Sequence, residues 1–233
     1  MNLVDLFKQL SYGELNNTTI GNDGAGSIRP DKIPTVTQYV NDGLLKLYSR
    51  FALKKESLYL ELRENITRYH INRLHCLSNE SSEEEKYIID VSDHPYQEDL
   101  IKILDVWTST GTQLPLNNHT EEWSVFTPTY DVLLVPWTAQ GMILNIVYQA
   151  KHKELNFSKD PIQEINLPDV LVPALRAYVA AQIYSNFNTA EAVNNAQKYN
   201  SLYTAVCEDV EAMDIVSNSY SQTNIRFHEN GWV

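Results

Sequence analysis

The chain has 233 residues, 43% of them hydrophobic, enough for one large domain or a smaller one carrying an insertion. Its formal charge is −12, from 18 basic and 30 acidic residues, which argues against a surface that wraps a nucleic-acid backbone, since such binding needs clustered Lys and Arg. No apolar run reaches membrane-spanning length, the N-terminal stretch lacks a basic n-region and a cleavage site, and the widely spaced Cys76 and Cys207 indicate a reduced cytoplasmic setting rather than a disulfide framework.

Residues 2–12 read as a short amphipathic helix with Leu3, Leu6, Phe7 and Leu10 on one face. The stretch Asn16–Pro34 is rich in Gly, Asn and Thr and reads as a loop. Thr35 suits an N-cap for a second helix, 35–51, in which Val36, Val40, Leu44, Leu47 and Phe51 keep helical spacing and Lys54, Lys55 and Glu56 mark the close. From residue 57 the period changes. SLYLEL (57–62), TRYHINRL (67–74), YIIDV (87–91), IKILDVWT (101–108), WSVFTPTYDVLLVP (123–136) and MILNIVYQA (142–150) alternate or carry β formers. Pro128 and Pro136 make the fifth an edge or broken strand, TQLPLN after the 109–111 turn is a short return, and SNESSEEE (78–85) is a solvated acidic loop.

Leu167–Asn188 reads as the helix around which the chain is organised. Pro168 and Asp169 suit its first turn, Pro173 either opens the helix proper or kinks it, and Leu175, Val179, Ile183 and Phe187 form one stripe flanked by Tyr178 and Tyr184. A last helix, 190–213, repeats Tyr199, Tyr203, Val206, Val210 and Met213 at four-three spacing. Residues 216–233 form a polar tail ending in Arg226, Phe227 and Trp232, residue types enriched at the energetic centre of interfaces, and the tail reads as a docking peptide that a neighbour orders. The expected fold class is α+β. A helical bundle of 1–56 and 160–215 is built from the N- and C-terminal helices, with an inserted β-rich subdomain, 57–155, and an extended C-terminal tail, 216–233.

Motifs for chemistry are weak. Gly21–Ser27, GNDGAGS, has the Gly-x4-Gly spacing of a phosphate loop but Ser27 in place of the lysine, with no strand before it and Arg29-Pro30 after it, so a flexible loop is the expectation. His70 and His75 are five apart, a spacing of neither one helical nor one strand face, and with Cys76 they lack a metal-ligand pattern. No Gly-x-Ser-x-Gly occurs, and Cys207 reads as a small buried hydrophobe. Pairs such as Glu121-Glu122 read as solvated. The reading is no enzyme, with no catalytic, cofactor or metal residues. Tyr199–Tyr203 reads as core or, less simply, as a partner surface.

Several stretches together carry a resemblance: VNDGLLKLYSRFALKKESLYLEL (40–62), IKILDVWTSTGTQLPLNN (101–118), VFTPTYDVLLVP (125–136), ILNIVYQAKH (143–152) and, above all, INLPDVLVPALRAYVAAQIYSNFN (165–188) before a tyrosine-bearing helix. In layout they resemble the head-to-tail adaptor (connector) proteins of short-tailed bacteriophages. The resemblance implies a structural virion protein of the neck or tail region, assembled in the host cytoplasm. Such proteins form a ring of about twelve copies, closed by head-to-tail contacts, between a portal protein and a tail or nozzle protein. The genome passes through the ring without specific binding, and an acidic lumen suits that passage. The portal is then the expected receptor for Arg226, Phe227 and Trp232, and an adjacent subunit the second choice. Other classes fitting the same residues are a tail-tube or tail-completion protein, or an enzyme whose site lacks a known motif.

Overall fold

The computed structural model describes residues 1–91, 93–137 and 139–213. Its class is α+β: four α-helices accompany two antiparallel sheets. In chain order the elements are α1 (Leu3–Tyr12), α2 (Ile33–Arg50), β1 (Lys55–Glu61), β2 (Arg68–His70), β3 (Ile88–Ile89), β4 (Leu100–Thr108), β5 (Gln113–Leu114), β6 (Phe126–Thr129), β7 (Val132–Leu134), β8 (Ile143–Ala150), α3 (Val172–Ser185) and α4 (Ala190–Ala212). They fall into two compact units. One comprises Met1–Asp5 and Pro30–Asn166, the other Leu6–Arg29 and Leu167–Val233, so the division passes through α1.

In the first unit, α2 begins two residues before the expected Thr35. Pro34 sits in its first turn, where a missing N–H leaves no bond unmade, and the preceding residue is Lys32. The helix ends at Arg50, before Lys54 and Lys55, which lead into β1 instead. Val36, Val40, Leu44 and Leu47 are buried, as their spacing predicts. At the C-terminus of α2 the Gln149 side chain, on β8, donates to the carbonyls of Tyr48, Ser49 (3.4 Å) and Phe51 (3.1 Å). Those carbonyls have no partner within the helix, so a buried amide from the sheet does the work of a cap.

The larger sheet has the order β3-β1-β8-β4-β5. Its central strand, β8, pairs Ile146 with Leu58 on β1 and Val106 on β4, and Leu144 with Leu60. These side chains share one face by the period-2 rule, and all are buried. The smaller sheet has the order β2-β7-β6. The segment 123–136, expected as an edge or broken strand, is a hairpin: β6 and β7 reverse at Tyr130-Asp131, and Pro128 lies on the edge strand. Likewise 67–74 is not strand throughout. It leaves β2 after His70 and makes a 3-10 turn at Arg73–His75, capped by the Asn72 side chain, which accepts from the Leu74 N–H.

Many of the fourteen tyrosines work inside the fold, where burying the ring requires a partner for the hydroxyl. Tyr69 and Tyr87 pack edge to face at 5.1 Å in this core. The Tyr69 hydroxyl accepts from the Arg63 N–H, and that of Tyr87 bonds both backbone groups of His70. Burial pushes both phenols above their ordinary range.

In the second unit the loop at 21–27 is tightly pinned rather than flexible. The Ser11 hydroxyl donates to the Gly21 carbonyl (2.6 Å) and accepts from the Gly26 N–H (3.0 Å). Gly26 has φ +77°, and a Cβ there would fall on the Tyr12 ring and hydroxyl. Pro173 opens α3, after a 3-10 turn at Asp169–Leu171, and Asn186 ends it, so Phe187 lies beyond the helix. The expected single stripe proves too narrow. Ala174, Ala177, Ala180 and Ala181 are buried along with Leu175, Val179 and Ile183, because a helix apolar all round is covered all round. Arg176 forms a two-pronged ion pair with Glu14 (2.6 and 3.1 Å), and the Tyr184 hydroxyl donates to the Glu14 carbonyl.

Helix α4 starts where its cap does. Thr189 accepts from the Ala192 N–H at 3.2 Å. Tyr199 stacks on Tyr184 of α3 at 5.6 Å, and Tyr203 lies 5.7 Å from Tyr178, so the tyrosine stripe is an α3–α4 seam. Cys207 and Val210 are buried in line with the expectation, whereas Met213 follows the helix and is 65% exposed.

Candidate interaction surfaces

Three exposed features stand out among the described residues: one face of α4, one face of the larger sheet, and a cleft beside α2.

Only Ala192, Cys207 and Val210 are buried along the 23 residues of α4. Its exposed residues include Val193, Asn194, Gln197, Asn200, Leu202 and Thr204. From Ala192 to Cys207 the only charged residue is Lys198, and its ammonium lies over the Tyr199 ring at 5.5 Å. A solvated helix face is normally studded with charge. Depletion of charge with retention of amides, hydroxyls and scattered aliphatics is the composition of a face that meets protein.

The larger sheet hides one face and shows the other. Register places Ile89, Tyr59, Asn145, Trp107 and Gln113 in one row across all five strands. Next to it stand Ser57, Val147 and Asp105 in a second row. Tyr59 is 50% exposed, and Trp107, Asn145 and Val147 are half-buried. The Asn145 Oδ1 atom, in the middle of the row, is shielded from solvent and accepts no hydrogen bond, a costly state for an amide oxygen.

The cleft beside α2 is an open groove of about 740 Å³ lined by Asp42, Leu45, Lys54, Asp99, Lys151 and others. Asp99 anchors its floor, accepting from the Lys54 ammonium (3.0 Å) and the Tyr148 hydroxyl (2.9 Å). Burial alone would lower the Lys54 pKa, but Asp99 and Glu56 outweigh it and hold the ammonium above its ordinary value. Asn41, which also lines the groove, bonds both backbone groups of Leu155 through its side chain, at 2.9 and 3.0 Å.

His152 also lines the groove, edge-on to Tyr48 at 5.4 Å. Its Nδ1 donates to the Lys153 carbonyl (2.5 Å) and its Nε2 accepts from the Asn166 N–H (3.2 Å), so the network fits the neutral ring. Desolvation, with a smaller push from Lys54, lowers its pKa below the ordinary 6.5 despite the Lys153 bond. A depressed folded value means the unfolded chain takes up the proton first. The stabilisation is therefore complete above about pH 6.5 and lost as pH falls through the folded value. Urea titrations at pH 8 and pH 5 should show a larger loss for the natural chain than for His152→Phe.

The structure brings His70 and His75 together, with rings 6.4 Å apart, despite their awkward spacing in the chain. His75 stacks on Tyr87 at 4.4 Å and contacts the Glu85 carbonyl, so the pair packs as aromatic surface. Burial, with the nearby Asp90 carboxylate, pushes the Cys76 thiol up to about 12, far from a reactive thiolate. Among the described residues no three His, Cys, Asp or Glu side chains converge as a metal site would require. Arg226, Phe227 and Trp232 lie outside the described residues. No described helix is long and apolar enough to cross a membrane. Strand alternation identified the sheet that carries Tyr59, Asn145 and Trp107, but nothing local marks which of its faces stays open.

No protein-family model matches the chain, and no curated protein matches it.

Proposed function

We propose that this chain is a head-to-tail adaptor of a short-tailed bacteriophage, a ring subunit between portal and tail or nozzle proteins that lines the genome's passage. The observation that carries the reading is the middle of α4, Ala192–Cys207, a largely exposed stretch with Lys198 as its one charged residue on a chain of net charge −12. Copies of so acidic a chain repel one another over most of their surface, so association needs a face from which charge has been removed. The layout resemblance of residues 40–62, 101–118, 125–136, 143–152 and 165–188 supplies the rest. The same acidity suits a channel through which DNA slides without phosphate contacts to hold it.

The test is imaging of the purified chain, alone and mixed with the portal of the same virion. The expected result is a closed ring of this chain stacked on the portal. A chain that remains monomeric beside the portal overturns the reading.

A further inference from the structure

Between β8 and the 3-10 turn before α3, residues 151–168 run without helix or strand, apart from an isolated bridge between Asn2 and Glu164. Side chains therefore supply bonds that a sheet would otherwise make. Two residues of this stretch are held at both backbone groups. Leu155 is held by the Asn41 side-chain amide, at 2.9 and 3.0 Å. Asn166 is held from two sides: its N–H donates to His152 Nε2 at 3.2 Å, and its carbonyl accepts from the Tyr48 hydroxyl. The two clasps differ in one respect. An amide keeps its acceptor at every pH, whereas an imidazole has one only while neutral. Asn166 is also the last residue of the first unit before the chain passes to the second at Leu167.

We infer that His152 is a pH-operated latch on this exit: the neutral ring holds Asn166, and protonation releases Asn166 while the Asn41 clasp on Leu155 stays shut. The ring already donates from Nδ1 to the Lys153 carbonyl at 2.5 Å, so Nε2 carries the free lone pair. A proton added at Nε2 confronts the Asn166 N–H donor to donor, and the two must part. Tyr48 keeps its hydroxyl proton, because burial raises its pKa, but one bond to a carbonyl is a pivot and not a clasp. Opening stops at Ile165, whose side chain is buried and whose N–H donates to the Met1 carbonyl at 2.8 Å. The free connection to the second unit then starts one residue earlier in the chain.

The surroundings decide which way the latch rests. The charged groups that line the groove with His152 are Asp42 on α2, Lys54 before β1, Asp99 before β4, and Lys151, Lys153 and Glu154 on its own stretch. Asp99 is engaged by Lys54 and Tyr148, and Lys54 is the charge that bears on the ring. Its repulsion and the desolvation of the ring both favour the neutral form and hold the pKa below the ordinary 6.5. The latched state has the lowered value. The latch is therefore fully shut above about pH 6.5 and opens as pH falls through the latched value.

The test is residue-resolved amide exchange on the full chain from pH 8 to pH 4, corrected for the intrinsic pH dependence of exchange. The ring nitrogens of His152 are followed by their shifts in the same samples. The Asn166 amide should lose about fivefold in protection as the ring titrates, the loss expected for one hydrogen bond, while the Leu155 and Ile165 amides keep theirs. His152→Gln, which retains an acceptor at every pH, should leave Asn166 protected throughout. His152→Phe should leave it unprotected at both ends of the range. Loss of protection at Asn166, Ile165 and Leu155 together would mean that the unit loosens as a whole, and overturns the inference. So does an Asn166 amide still protected at pH 4, or a His152→Phe chain with the pH dependence of the natural one. The latch is a property of the first unit, so failure to form a ring on the portal would remove the adaptor reading and leave this result standing.

Discussion

Replacing Ile146 with alanine should destabilise the fold by about 4 kcal/mol, read as a lower urea midpoint at unchanged denaturant slope. Ile146 is fully buried at the centre of the central strand, with Leu58 opposite on one side and Val106 on the other. Neighbours held by two hydrogen-bonded ladders cannot collapse into the space left behind. The loss therefore includes the cavity as well as the transfer of the missing carbons. Tyr59, on the opposite face of the adjacent strand, is half exposed, and its replacement by alanine should cost far less. A midpoint for Ile146→Ala within experimental error of the natural chain would mean that this face of the sheet is not the core.

The second large effect is expected at Gln149. The side chain is 6% exposed and supplies the donors for carbonyls at the end of α2. Gln149→Leu keeps the volume and removes the donors, leaving the buried Tyr48 carbonyl without this partner at a cost of about 2–3 kcal/mol, while the Phe51 carbonyl keeps the Leu53 N–H. Gln149→Glu should be worse at neutral pH, because it sets a carboxylate against the same carbonyls. This order, natural chain above leucine above glutamate, separates hydrogen bonding from packing. If leucine equals glutamine in thermal melts, the amide is filling space and α2 is held by its apolar stripe alone.

Ile146 and Gln149 both serve the fold, from opposite faces of β8: Ile146 within the core of the sheet, Gln149 against the end of α2.

Local chemistry by itself determined most of the elements. Leu3, Leu6, Phe7 and Leu10 on α1, and Val36 to Leu47 on α2, were legible because a helix that buries one side must repeat its apolar residues at about 3.6. Alternation in 57–62 and 142–150 announced β1 and β8 for the corresponding reason in strands. Prolines told less about helix starts than they might have. Pro34 and Pro173 each sit in a first turn, where proline is favoured, yet Thr35 looked the better cap until Ile33 proved to be helical. Where alanine replaces charge, as in α3, the pattern understated burial, since a small residue does not declare which side it faces. The tertiary structure alone decided the rest. Gln149 caps a helix about a hundred residues earlier in the chain, His70 stacks near His75 across a turn, and Tyr199 and Tyr203 meet α3 instead of a partner. It also left Asn145 in the middle of an open sheet face without a donor. Periodicity can say that a side chain points to one of two faces. Which face is covered, and by what, depends on contacts distant in sequence, and the α4 and sheet faces emerge only when those contacts have been made.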